Sequence, residues 1–327
     1  MAVLQLREAL RAAMWEEMER DPNVFLIGEE VAEYNGAYKV SQGMLDHFGA
    51  KRVIDSPISE TGFSGLGVGA AMMGLRPIIE FMTWNFSMVA ADQILSNAAR
   101  IRYMSGGQYS IPIVFRGPNG SAGQLGATHS NSFEFFYANV PGLKVVSISN
   151  PDDAKGLLKS AIRDEDPVLF MESEVMYGMK GEVSDHPEYL IPIGKARVGR
   201  EGKHVTIVTW NKVYWTVMAA AEELAKIGYE AEVIDLRTIR PMDIPAVLQS
   251  IRKTNRCVVV DESNPLASIA SEVAYRIQAE AFDHLDAPVL RVTNKDVPAP
   301  YAKNLIELWV PTVDEIVKAC KAVMYAN

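Results

Sequence analysis

Apolar residues recur at helical spacing in "LQLREALRAAMWEEMERDP", where Leu6, Leu10, Ala13, Met14 and Met18 share one face. The pattern predicts an amphipathic helix of the fold, not a signal or transit peptide. "VFLIGEEV" (24–31) is a short apolar run ending in Gly-Glu-Glu. That is the signature of a buried parallel strand with carboxylates at its carboxyl end. Further strands are predicted at "RVIDSP" (52–57), "RPIIEFM" (76–82), "IPIVFRGPNG" (111–120), "LKVVSIS" (143–149) and "PVLFMES" (167–173). Helices alternate with them at "GFSGLGVGAAMMG" (62–74), "AADQILSNAARIRYM" (90–104) and "PDDAKGLLKSAIRD" (151–164). The last opens with proline and two acids, as a helix dipole favours. Residues 178–204 carry no strong period and read as a linker or crossing segment. A second series follows: strands at 205–210, 230–236, 257–262 and 288–293, and a helix at 217–228.

Alternating strand and helix patterns predict an α/β fold: two domains with mostly parallel sheets flanked by helices. The expected divisions are 1–178, a linker at 179–204, and 205–327. A chain of 327 residues accommodates two such domains. Ligands of open parallel sheets bind beyond the carboxyl ends of strands. Glu29, Glu60, Phe86, Arg116 and His129 all follow strand-like runs there.

Composition removes some function classes. A net charge of −9 argues against a nucleic-acid groove, which needs concentrated Lys and Arg. Cys257 and Cys320 lie in no CxxC or Cys/His cluster, so neither zinc nor a disulfide framework is expected, and a reducing compartment fits. No apolar run approaches the ~20 residues of a membrane span.

The stretch "VIDSPISETGFSGLGVGAAMMG" (53–74) concentrates the candidate chemistry. "GLGVG" matches a dinucleotide fingerprint only loosely, because the usual GxGxxG spacing and its distant acid are missing. Small residues that let a helix approach a neighbouring backbone are the better reading. Glu60 stands at a helix start, where an acid is ordinary. Yet Pro57, Ile58 and Phe63 surround it with apolar bulk, and a carboxyl so placed resists ionisation and exchanges protons near neutrality. Glu29 and Glu30 end another strand, and two neighbouring carboxyls titrate as a pair. Trp84 and Phe86 offer either a core aromatic pair or a platform for a heteroaromatic ring. "RGPNGSAGQLGATHS" (116–130) is a long Gly-rich loop that reads as plain surface or as functional, with His129 near its end. No GxxxxGK[ST] loop occurs, and no GDG followed by a distant Asn.

Together, "LIGEEVAEYNGAYKVSQG", the block from "RVIDSPISETGF" to "FMTWNFSM", "YMSGG", "PIVFRGPNG", "PGLKVVSISNPDDAKGLLKSAIRDEDPVLFMESEVMYG", "IDLRTIRPMD" and "DVPAPYAKNLI" span essentially the whole chain. They resemble the beta subunit of pyruvate dehydrogenase, the decarboxylating component of that complex. The family also holds branched-chain 2-oxoacid and acetoin dehydrogenase beta subunits. "YNGAYKVSQG" and "PISETGF" resemble the pyruvate branch more. The resemblance implies a transketolase-like pyrimidine-binding domain followed by a transketolase C-terminal-like domain, the latter serving subunit and complex assembly.

It also implies thiamine diphosphate shared with an alpha subunit, in an alpha2-beta2 heterotetramer. The alpha chain would hold Mg2+ and the diphosphate, which accounts for the missing GDG motif. Glu60 matches the glutamate bonding pyrimidine N1′, which favours the imino tautomer needed for proton transfer from the thiazolium carbon. Phe86 matches the aromatic on the pyrimidine, Ile58 lines that pocket, and Glu29 matches a second carboxylate in a proton link between active sites. His129 matches a histidine used as the acetyl group passes to the lipoyl arm of the dihydrolipoyl acetyltransferase core, towards acetyl-CoA. A structural K+ site maps to Ile113, Ala161, Ile162, Asp164 and Asp166, the last often Asn in relatives. Val89 stands where some relatives carry Gln. Asp286 matches a contact to the subunit-binding domain of the acetyltransferase. A bacterial cytoplasmic location is implied, or the mitochondrial matrix or plastid for a mature chain. Rivals of other classes are a nicotinamide-dependent dehydrogenase using "GLGVG" and a non-catalytic assembly scaffold.

Overall fold

The apolar stripe of the first helix is buried along its whole length. Leu6, Leu10, Ala13, Met14 and Met18 all lie in the core of helix Leu6–Arg20. That face packs on helix Pro151–Arg163, whose start is capped by the Asn150 side chain accepting from the Asp153 amide. Glu17 is buried between the two helices and receives Arg163 at 2.8 Å and Arg20 at 2.7 Å.

The computed structural model describes residues 1–326 and divides into two units, Met1–Asn119 with Phe136–Ile193, and Gly120–Phe135 with Gly194–Asn327. The first unit contains β1 (Ala2–Gln5), β2 (Val24–Gly28), β3 (Val53–Asp55), β4 (Arg76–Glu80), β5 (Val114–Pro118), β6 (Lys144–Ser147), β7 (Val168–Glu172) and β8 (Lys180–Val183). Its parallel strands run in the order β6-β7-β5-β4-β2-β3. The registers Gly28 to Asp55, Gly28 to Glu80 and Glu80 to Arg116 bring their carboxyl ends level. Every residue of β2, β5 and β7 is buried, as the unbroken apolar runs predict.

The second unit contains β9 (Arg197–Arg200), β10 (Val205–Thr209), β11 (Ala231–Asp235), the short β12 (Thr238–Arg240), β13 (Cys257–Asp261) and β14 (Leu290–Thr293). Its sheet has the order β14-β13-β10-β11-β9, parallel except for β9. Helices Val213–Lys226, Ile244–Thr254, Ile269–Ala281 and Val313–Val323 pack on it.

Three local readings change. The helix predicted over 90–104 is broken: it begins at the end of a 3-10 turn, Trp84–Ala90, and runs through a π-turn at Gln93–Ala98 to a short helix at Ile101–Met104. Ile94 still accepts from Ala99, five residues on, so the apolar face survives the widened turn. Segment 179–204 carries β8, which pairs antiparallel with β1, and β9, on an edge of the second sheet. Both are half-exposed, so neither leaves an apolar run. Arg116 lies inside β5 and not beyond it. Its buried guanidinium meets Glu172 at 2.7 and 2.5 Å and pairs with Glu80.

Candidate active site

Glu29 and Glu60 come together at the carboxyl ends of β2 and β3. The chain reaches Glu29 through Gly28, where an added Cβ would stand 2.6 Å from the Glu80 carbonyl oxygen. The turn after it is fixed by Asp55, at the end of β3, whose carboxylate accepts from the Ala32 and Glu33 amides at 2.7 and 3.1 Å. Glu60 occupies the first turn of helix Glu60–Met72, where the unpaired amides favour negative charge.

Both carboxyls are only 6% exposed. Burial pushes Glu29 from its ordinary 4.5 up to about 7, and the charge of Glu60 and a side-chain hydrogen bond with it add to the effect. Glu29 Oε1 is buried and has no hydrogen-bond partner among the described residues. One carboxyl is thus half-protonated near neutrality, against a second at a helix start. Such a pair can pass a proton and offer it to a ring nitrogen.

Phe86 is half-buried in the 3-10 turn, with its amide bonded to the Thr83 carbonyl at 3.0 Å. Behind that turn Trp84 lies wholly in the core, 5.5 Å from Phe81 and 5.3 Å from Tyr137 between ring centres. The aromatic pair therefore splits: Trp84 packs wholly in the core, and Phe86 is only half-buried. Thr61 ties the turn to the helix, its hydroxyl donating to the Val89 carbonyl at 2.5 Å. Ile58, on the loop before Glu60, is 84% exposed.

The glycines of "GLGVG" lie within the helix, not in a phosphate loop. At Gly67 an added Cβ would meet Ile79 Cδ1 at 2.5 Å, so the helix axis rests on β4 only because that side chain is missing.

The predicted potassium ligands cluster around the end of helix Pro151–Arg163. The carbonyls of Ile162 and Asp164 accept from Arg76 at 3.1 and 3.2 Å; those of Ile113 and Ala161 accept backbone amides. Each carbonyl keeps a second lone pair. The Asp164 carboxylate holds Lys144 at 2.7 Å, and Asp166 pairs with Arg102 and with Lys144 at 3.2 Å. No cluster of three or more His, Cys, Asp and Glu suited to a metal occurs among the described residues.

His129 and Asp286 belong to the second unit. His129 is half-buried, with Nδ1 2.8 Å from the Thr128 hydroxyl. Asp286 is exposed and pairs with Arg256 at 2.8 Å. Sequence reasoning passed over Asp55, Lys212 and Glu262. Asp55 and Glu262 could have been found as acids at strand ends.

Comparison with known proteins agrees with this architecture. The transketolase pyrimidine-binding domain family matches residues 2–180, and the transketolase C-terminal domain family matches 194–316. A solved structure titled "Split gene transketolase, inactive beta4 tetramer" superposes with a TM-score of 0.81 over 98% of both chains, at 21% identity. The fold is thus the two-domain α/β arrangement of transketolases. The "Pyruvate dehydrogenase E1 component subunit beta" of Rhizobium meliloti (strain 1021) is 55% identical over 99% of this chain and 71% of its own. That of Rickettsia bellii (strain RML369-C) is 52% identical over 98% and 99%. The mitochondrial beta-2 subunit of Oryza sativa subsp. japonica is 53% identical over 98% and 86%. The chain belongs to the family of pyruvate dehydrogenase E1 component beta subunits. No helix among the described residues is long and apolar enough to cross a membrane.

Proposed function

We propose that this chain is the beta half of a thiamine diphosphate-dependent pyruvate dehydrogenase and acts with an alpha subunit in an alpha2-beta2 heterotetramer. The observation that carries the reading is the buried Glu29–Glu60 pair, with an unpartnered Glu29 oxygen and a carboxyl poised near pH 7. A structural helix cap would need neither.

The residues fit the aminopyrimidine half of the cofactor. Glu60 would hold a proton at the ring nitrogen, Phe86 would pack the ring, and Ile58 would cover it. Glu29 would return protons to Glu60 and link two active sites. The bound cofactor supplies the carbon nucleophile and electron sink for decarboxylating a 2-oxo acid. The glycines of "GLGVG" lie within a helix and form no phosphate cradle, which fits an alpha chain that holds Mg2+ and the diphosphate. His129 would serve transfer of the acetyl group to the lipoyl arm. The carbonyls of Ile113, Ala161, Ile162 and Asp164, with Asp166, would hold a structural K+. Asp286 would release Arg256 to meet a basic group of the acetyltransferase core. The compartment would be the bacterial cytoplasm, or the matrix or plastid for a mature organellar chain.

The test is Glu60→Gln in the co-expressed complex. Carbon dioxide release from pyruvate should fall about 10²–10⁴-fold, the usual worth of a positioned proton carrier. Diphosphate-dependent cofactor affinity, read by calorimetry, should change little. Full activity in the variant, or turnover by the beta chain alone, overturns the reading. Release from branched 2-oxo acids faster than from pyruvate would reassign the substrate.

A further inference from the structure

We propose that Lys212 and Glu262 are positioning residues for the His129 loop, their ion pair fixing the loop's neck and with it the imidazole. The proposal deepens the acyl-transfer reading of His129 and rests on it.

The loop is closed at its base. The Gly120 amide donates to the Asn131 carbonyl at 3.1 Å, so residues 121–130 leave and return at one point. Glu262 sits beside that neck. Its Oε1 accepts from the Ser121 amide at 2.8 Å, and its carbonyl accepts from the Ser132 hydroxyl. The Lys212 ammonium pairs with the same Oε1 at 2.9 Å and donates to the Ser121 carbonyl and, at 2.6 Å, to the Ser121 hydroxyl. The outgoing side of the neck is thereby held by the ion pair, and the returning side by the Glu262 backbone.

Several bonds within the loop close local turns. The His129 amide reaches Gly126 at 3.3 Å, the Ser130 hydroxyl reaches Gly126 at 2.8 Å, and the Asn131 amide group reaches Ala127 at 3.1 Å. Gln124, Leu125 and Thr128 are exposed. Such turns shape the loop, and the closely spaced ends of its base help to set where it sits. The base here is rigid. Glu262 directly follows β13, and Lys212 stands between the end of β10 and helix Val213–Lys226; β10 and β13 are adjacent parallel strands. The pair is also nearly dry, with side chains 14% and 9% exposed, so solvent screens it little. Gly120 completes the fit: its φ is +77°, and an added Cβ would stand 3.1 Å from Glu262 Oε1. Functional side chains need support of this kind from rigid elements.

The experiment uses the assembled alpha-beta enzyme carrying Lys212→Met, Glu262→Gln, Lys212→Arg or His129→Ala. Two activities are compared: pyruvate-dependent reduction of an artificial electron acceptor, and acetylation of a free lipoyl domain. Hydrogen exchange of residues 121–131 reports the loop. Lys212→Met and Glu262→Gln should speed exchange there and lower the ratio of lipoyl acetylation to dye reduction about tenfold, as a misplaced group would. Lys212→Arg should restore the ratio in large part. Parental exchange or a parental ratio in both neutral variants overturns the clamp, provided His129→Ala is itself impaired in acetylation. A parental rate in His129→Ala instead overturns the reading of the histidine on which the clamp depends. Thermal melting of each variant separates a misplaced loop from a failed fold.

Discussion

Glu29 carries a proton because of where it stands, and that makes a stability prediction with a definite sign. Below its ordinary 4.5 the carboxyl is protonated in folded and unfolded chains alike. Between there and about 7 the unfolded chain releases a proton that the folded chain keeps. The folded state then binds more protons, so stability from this group falls as pH rises, with the loss complete above that window. Glu29→Gln has no proton to release. Its melting temperature relative to the parent should therefore climb between about pH 5 and pH 8. A difference that stays flat over that range would mean that Glu29 is not perturbed. The acids themselves were legible in the sequence, because Gly-Glu-Glu and Ser-Glu-Thr punctuate strand ends. That Glu29 is pushed up was not legible. That depends on contacts such as the Asp55 carboxylate turning the backbone after Glu30, which link positions more than twenty residues apart.

At the scale of single elements, helix Glu60–Met72 decides between the two meanings of its glycines. Gly67 faces β4 and has no room for a methyl group, while Gly69 has nothing within 4 Å of an added Cβ. Gly67→Ala should cost about 1–3 kcal/mol through overpacking. Gly69→Ala should leave the chain as stable or gain about 0.5–1 kcal/mol, as alanine does in an open helix position. Denaturant melts of the chain would show both. Equal effects at the two sites would remove the packing account. The same logic bounds what the sequence revealed of the elements. Buried parallel strands read as unbroken apolar runs, and the helix at 151–163 announced itself through Pro151 and the two acids after it. Helix Ile244–Thr254 was equally signalled, since Asp243 accepts from the Ala246 amide and Pro245 follows, but its short period was passed over. The π-turn at Gln93–Ala98 was not legible, because a five-residue hydrogen bond leaves the apolar spacing nearly unchanged. The edge strands β8 and β9 were hidden for another reason: a half-exposed strand has no apolar run to read.

For the whole molecule, the telling feature is a helix that is apolar on both sides. Phe63, Val68 and Ala71 enter the core, yet Gly62, Leu66, Gly69 and Met73 form a bare stripe at helical spacing, with Leu66 56% and Met73 82% exposed. A helix without a polar face belongs in an interior. The same unit also leaves Ile58 at 84%, Val89 at 61% and Tyr103 at 90%. Isolated exposed apolar residues are normal, but a continuous small-and-apolar stripe marks contact with another chain. Gly62 and Gly69 would let a partner helix come close, as their neighbour Gly67 does for β4. This agrees with the proposed association with an alpha subunit. Leu66→Lys should then keep the circular dichroism and melting of the isolated chain, since the site is open there. It should also lower assembly with the alpha subunit or a second beta chain, because a charge would be buried without a partner. Size-exclusion chromatography with light scattering reads the assembled fraction, and Leu66→Ala, which removes bulk without adding charge, should fall between. If Leu66→Lys assembles as the parent does, the stripe faces solvent in the working enzyme, and the glycines on that side of the helix have no role in its association.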